Sequence, residues 1–293
     1  MGDFGPSLSS ELDGLPDERV IPEPTTEDIN ILITGFGPFK TNLLNPSFLI
    51  SSALPKTLSQ PTPTNSPRQI NLHTHPNPIR VSYSAVRTSV PAVTDAFKQA
   101  NNGREPDITI HIGMASTRSY YSVETQAHRD GYRITDVDGE IGYEYGELRW
   151  RREGMPSVLR PGLNTETTTL ATTLTPTPTP TSTTVMPPPT ESKPVVPVSP
   201  SPPDATLLKV WRAFLPDTID VRLSDDAGRY LCEFITYTSL ARALREGHKG
   251  AVVFLHVPGW TDEDSVETGR DVAVALVRAL VACWVDGVQG EEW

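Results

Sequence analysis

A chain of 293 residues with 25 Lys plus Arg against 36 Asp plus Glu carries a formal net charge of −11. That balance argues against nucleic acid or an anionic membrane as the main partner, because both are held through an excess of cationic side chains. Two cysteines, Cys232 and Cys283, are too few for a disulfide-held secreted fold and fit a reducing, cytoplasmic setting.

Residues 1–28 are acidic and rich in Pro and Gly, and read as a disordered tail. They have neither the basic start nor the apolar core of a signal peptide, and no apolar run in the chain approaches the ~20 residues that cross a bilayer. Asn30-Ile31-Leu32-Ile33-Thr34 predicts a short buried strand, broken by Gly35-Phe36-Gly37-Pro38-Phe39. Asn45-Pro46 then supplies a cap and a first-turn proline for a helix through Ser52. Residues 55–78 are polar and carry many prolines, so they read as a loop; Ile79 to Ala85 alternates like a strand, and Val90 to Gln99 has helical spacing. Ile108 to Gly113 is a second strand ending in glycine, and Arg129 to Tyr145 reads as a surface excursion. From Leu163 to Thr206, 25 of 44 residues are Pro or Thr. So little apolar surface cannot offset the entropy of ordering, and 163–206 reads as a disordered insert. Ile219 to Leu223 predicts a strand, and Asp225 or Asp226 would cap a helix running through Cys232 to Leu244. Ala251 to Val257 is a buried strand, and Asp271 to Val285 a final amphipathic helix with Val272, Leu276, Ala279 and Leu280 on its apolar face.

Strands alternating with helices imply one α/β domain, residues 29–293 interrupted by the insert: a three-layer α/β/α sandwich around a largely parallel, mixed sheet. Loops at the carboxyl ends of such strands form sites. Gly35–Phe39, the stretch after Gly113, and His256–Pro258 all follow strands and could converge at one edge.

Two positions carry reactive groups. Cys232 closes Gly228-Arg229-Tyr230-Leu231-Cys232, and His256 follows 24 residues later at the end of an apolar run. A cysteine at neutral pH is only a few per cent thiolate, so an adjacent imidazole is the usual means of making it a nucleophile. Taken singly, each residue reads as a core residue; together they propose a cysteine hydrolase. Cys283, on the last helix beside Trp284, reads as structural. His73-x-His75 lacks acidic or thiol partners at metal-ligand spacing and reads as solvated loop. His111 and His128 read as structural or exposed.

Four patches in order resemble the pyroglutamyl peptidase I family, the pyrrolidone-carboxylate peptidases, which are cysteine peptidases. They are Thr34-Gly35-Phe36-Gly37-Pro38-Phe39 with Asn45-Pro46-Ser47; His111-Ile112-Gly113 followed by Arg118 and Glu124; Asp226 through Cys232; and Phe254-Leu255-His256-Val257-Pro258. The resemblance implies Cys232 as nucleophile, His256 as base and Glu124 as the group that orients the imidazole. It places Phe36 and Phe39 as walls for a pyroglutamyl ring, Asn45 as a supporting hydrogen-bonding residue, and Tyr230 and Leu231 in the same pocket. The substrates implied are peptides with an N-terminal pyroglutamate, with no metal or organic cofactor; the oligomeric state stays open. Glu233 stands where many relatives carry Asn, and the Pro/Thr segment has no counterpart in the compact family core. Two rivals remain: a silent homologue that binds peptides or a partner, and a cysteine amidase for another small amide.

Overall fold

The computed structural model describes residues 28–39, 42–61, 67–162 and 197–289. The expected tail lies outside them, as do residues 163–196 of the expected insert. The remainder of that insert is packed: Val198 is buried, the Ser199 N–H donates to the Trp284 carbonyl at 2.7 Å, and a helix begins at Ala205. Asp204 caps this helix by accepting from the Leu207 N–H, so the Pro/Thr composition runs about ten residues past the point where tertiary contacts take over.

The sheet has seven strands. In chain order they are β1 (Ile29–Gly35), β2 (Thr57–Pro61), β3 (Pro67–Thr74), β4 (Ile108–Met114), β5 (Tyr121–Glu124), β8 (Val221–Ser224) and β9 (Val252–Val257). A separate two-stranded pair joins β6 (Ala127–His128) to β7 (Val158–Leu159). The order across the main sheet is β2-β3-β1-β4-β9-β5-β8. Strands β3, β1, β4 and β9 run parallel; β2 is an antiparallel edge, and β5 pairs antiparallel with β9 and parallel with β8. The sheet is thus largely parallel and mixed, as the alternation of elements implied.

Helices cover both faces. Helices α1 (Pro46–Ala53), α4 (Ala205–Ala213) and α6 (Glu263–Trp284) pack on one, where Ile31, Ile33, Ile112 and Leu255 form the core with Leu276 and Leu280. On the other lie α2 (Tyr83–Ala100), the short α3 (Leu148–Arg152) and α5 (Leu231–Glu246), packed on Leu32 and Phe254 through Val86, Trp150, Phe234 and Tyr237. Strand β1 is buried along its whole length because its alternate residues feed both cores. Among the described residues no helix is long and apolar enough to cross a membrane.

Two local expectations are corrected. The loop at 55–78 contains β2 and β3; Pro61 and Pro67 stand at strand ends beside the sheet edge, the position where proline costs no ladder bond. The strand at 79–85 is instead an extended lead-in. Ile79 bridges to Phe36, Ser82 caps α2, and the helix starts at Tyr83, running through Pro91. His73, placed on β3, hydrogen-bonds Asn30 Oδ1 at 3.1 Å.

Candidate active site

Glu124, His256 and Cys232 meet on the α5 face of the sheet. Alternation along a strand sends residues i and i+2 to one side, so Ser122 and Glu124 of β5 share a face, as do Phe254 and His256 of β9. Ser122 is the register partner of His256, and Gly113 of β4 is its partner on the other side. His256 Nδ1 and Glu124 Oε1 are 2.7 Å apart, and both side chains are buried. Nε2 has no hydrogen bond among the described residues and is the ring nitrogen left for proton transfer.

Arg118, just after β4, holds the carboxylate. Its Nη1 donates to Glu124 Oε1 at 2.9 Å and to Ser122 Oγ at 2.6 Å, while Nη2 donates to the Asp226 carbonyl at 2.9 Å. Burial alone would raise the Glu124 carboxyl; the His256 hydrogen bond and charge, with Arg118, outweigh it and hold the group below its ordinary range.

Cys232 is the second residue of α5. The cap is Tyr230, not Asp225 or Asp226 as the sequence suggested, because a turn intervenes: Gly228 has φ of 90° and Arg229 of 44°. A non-glycine residue in the left-handed region costs about 1–2 kcal/mol. Glu233 anchors it, accepting from the Arg229 N–H at 3.1 Å and from its Nη1 at 2.9 Å, and from His128 as well. The carboxylate in place of Asn therefore fixes the turn that leads into Cys232. Tyr230 gives no side-chain cap, so the first N–H groups of α5 are not occupied by it.

The sulfur sits over Gly113: a Cβ there would lie 2.9 Å from Sγ. Since Gly113 and His256 are register partners, the thiol and imidazole are neighbours across one strand pair. No hydrogen bond joins them in this structure; the register does. The residue keeps partial exposure, yet packing around the sulfur, reinforced by the Glu124 charge, pushes the thiol up to about 12. A helix amino end on its own favours the thiolate, but desolvation of the buried sulfur outweighs it.

The expected pocket residues gather here. Phe36, Phe39, Tyr230, Leu231 and Cys232 belong to one apolar cluster, with the Phe39 and Tyr230 rings 5.4 Å apart. Asn45 is spent on the backbone: Nδ2 donates to the Gly37 carbonyl at 2.9 Å, and Oδ1 accepts from the Ser47 N–H and hydroxyl. It shapes the Phe36–Phe39 turn and starts α1. A cavity of about 530 Å³ lies elsewhere, between α2 and α5, with Leu32, Val90, His111 and Ile235 in its wall; none of Cys232, His256 or Glu124 lines it. The positioning roles of Arg118, Gly113 and Glu233 were not apparent from sequence. The presence of Arg118 six residues before Glu124 was the available signal.

The model of the family described as pyroglutamyl peptidase matches residues 29–144. Over that stretch the chain is similar to this family, in line with the resemblance of its four sequence patches. The matched stretch includes Glu124 and stops short of Cys232 and His256. Rat pyroglutamyl-peptidase 1 is 24% identical over 228 residues, covering 78% of each chain. Pyrrolidone-carboxylate peptidase of Pyrococcus furiosus is 22% identical over 237 residues, covering 78% of this chain and 81% of that one. Among solved structures, a variant of pyrrolidone carboxyl peptidase from Pyrococcus furiosus aligns with TM-score 0.55 at 18% identity, over 86% of this chain and 98% of that one. The Thermococcus litoralis protein aligns with TM-score 0.55 at 19% identity, over 87% and 94%. These structures share the fold.

Proposed function

We propose that this chain is a cysteine exopeptidase that removes an N-terminal pyroglutamyl residue through a thioester, with Cys232, His256 and Glu124 as its catalytic groups. The observation that carries the reading is the buried Glu124–His256 pair at 2.7 Å, one strand from a thiol seated at a helix amino end.

A thiol pushed up to about 12 is neutral at physiological pH, so the nucleophile is made as it reacts. His256 Nε2 takes the Sγ proton while sulfur bonds to the carbonyl carbon of the pyroglutamyl–X amide. Glu124 holds the Nδ1–H and stabilises the imidazolium without itself taking the proton. The carbonyl oxygen gains negative charge beside the first turn of α5, whose N–H groups and dipole favour an anion. The imidazolium then protonates the leaving amine, the C–N bond breaks, and a thioester remains. Water, deprotonated by His256, attacks it and releases pyroglutamate and the free thiol.

Phe36, Phe39, Tyr230 and Leu231 supply apolar walls for a neutral lactam ring, and Asn45 acts at one remove by holding the turn that carries the two phenylalanines. The domain spans residues 29–293, and the end of the Pro/Thr-rich stretch joins it where Val198 packs into the core. The substrates are peptides bearing N-terminal pyroglutamate.

Release of fluorophore from pyroglutamyl–aminomethylcoumarin tests this. Turnover is expected in the wild type and its loss in Cys232→Ser. Binding without turnover would support the silent homologue, and activity confined to other amides would support the different amidase.

A further inference from the structure

Among the described residues, the large apolar side chains left exposed are Leu43, Leu44, Ile134, Val137 and Trp260. Single exposed hydrophobics are ordinary on any surface. Their placement is not, since each lies on a loop adjoining the thiol site. Leu43 and Leu44 stand between Phe39 and Asn45 in the loop after β1. Trp260 follows His256 by four residues in the loop leaving β9. Ile134 and Val137 flank Thr135 and Asp136, and the Thr135 carbonyl accepts from the Tyr230 hydroxyl at 3.2 Å. Tyr230 in turn stacks near Phe39, which ties the first loop to the third.

We propose that these side chains form the subsite for the residue following pyroglutamate, and that they select an apolar side chain there. The inference rests on the pyroglutamyl reading above. The ring pocket is walled by Phe36, Phe39, Tyr230 and Leu231, so the next residue of a bound peptide emerges at the rim, between the joined loops of Phe39 and Thr135 and the loop that leaves β9 just after His256. Asp262, Glu263 and Asp264 stand two to four residues after Trp260 and are exposed, as are Asp225 and Asp226 before the nucleophile; they outnumber the nearby cations Arg133, exposed beside Ile134, and Arg229, which pairs with Asp226. The rim therefore offers apolar contact within a negative field, which disfavours an acidic leaving residue.

The test compares kcat/KM for pyroglutamyl-Phe, pyroglutamyl-Gly and pyroglutamyl-Asp amides within each protein. The wild type is expected to rank them Phe above Gly above Asp. Trp260→Ala, and separately the Leu43→Ser/Leu44→Ser pair, should lower the Phe-to-Gly ratio, roughly tenfold for the larger of the two effects. All three positions are well exposed (48%, 83% and 57%), so the variants should fold, which circular dichroism checks. Equal rates on the Phe and Gly substrates in the wild type, or a ratio that neither variant moves, would overturn the subsite. Hydrolysis of none of the three by the wild type would be a different failure: it removes the pyroglutamyl reading, and the subsite with it.

Discussion

Gly113→Ala places one methyl group where three parts of the site converge. Its Cβ would lie 2.4 Å from Phe254 Cζ, 3.0 Å from Phe254 Cε1 and 2.9 Å from Cys232 Sγ. Non-bonded carbons sit at about 3.5–4.0 Å, so a neighbour must move by roughly 1 Å. Phe254 is fully buried and its ring lies 4.7 Å from the His256 ring, so displacing it crowds the imidazole. Displacing the sulfur instead moves the nucleophile. Overpacking of this kind costs about 1–3 kcal/mol, and a 1 Å misplacement of reacting groups costs about 10²-fold in rate. The expected outcome is a Tm lower by roughly 3–10 °C and kcat/KM on pyroglutamyl–aminomethylcoumarin lower by about two orders of magnitude. Gly103→Ala serves as contrast: its φ is +80° and nothing lies within 4 Å of the added carbon, so it should lose about 1 kcal/mol of stability through the backbone alone and keep its activity. Wild-type kcat/KM in Gly113→Ala would refute the placement of the thiol over this strand.

Glu124→Gln keeps the shape but removes the charge that holds the imidazolium, and should lower kcat by about 10²–10⁴-fold with little change in KM, read from steady-state kinetics. Arg118→Met removes a cation that helps hold the Glu124 carboxyl low. The carboxylate then protonates at higher pH, so the acid limb of the kcat/KM profile should move upward; an unmoved limb would show that Arg118 does not set it. His111 is buried between Thr34 Oγ1 (2.7 Å) and Ser239 Oγ (2.8 Å), and burial lowers it from 6.5 to about 3. Its folded value lies below its unfolded one, so stability declines as pH falls beneath 6.5. Between pH 7 and pH 5 this group alone removes about 2 kcal/mol, measurable by urea unfolding as the difference between wild type and His111→Gln.

The sheet was legible where strands are buried on both faces. Ile31–Ile33 and Val252–Leu255 carry unbroken apolar runs because both cores draw on them. Strand β3 was hidden because it lies near the sheet edge, where polar residues such as Arg68, Gln69 and Asn71 alternate with only Ile70 and Leu72. Helix α2 was read from Val90 on its apolar spacing; its start at Tyr83 is set by the Ser82 cap together with Asp136, 53 residues away, which accepts the Tyr83 N–H. Cys232, His256 and Glu124 were legible as candidates through motif resemblance, but their arrangement was not. Nothing local says that β5 runs antiparallel to β9, or that an arginine spans from Ser122 to the Asp226 carbonyl. The thiol's upward shift is likewise a property of tertiary packing, which a helix-dipole argument from sequence cannot see.

The direction of β5 sets a condition on folding that activity will report. Arg118 grips Ser122 and Glu124 together, two side chains on one pleat, and so marks a single alignment of this four-residue strand. Sliding it by one position would turn Val123 toward the imidazole and drive a carboxylate among the isoleucines behind the sheet. A protein trapped in that alignment would retain most of its secondary structure yet have no proton acceptor's keeper, so inactive refolded material should differ from active material at this strand before it differs anywhere else.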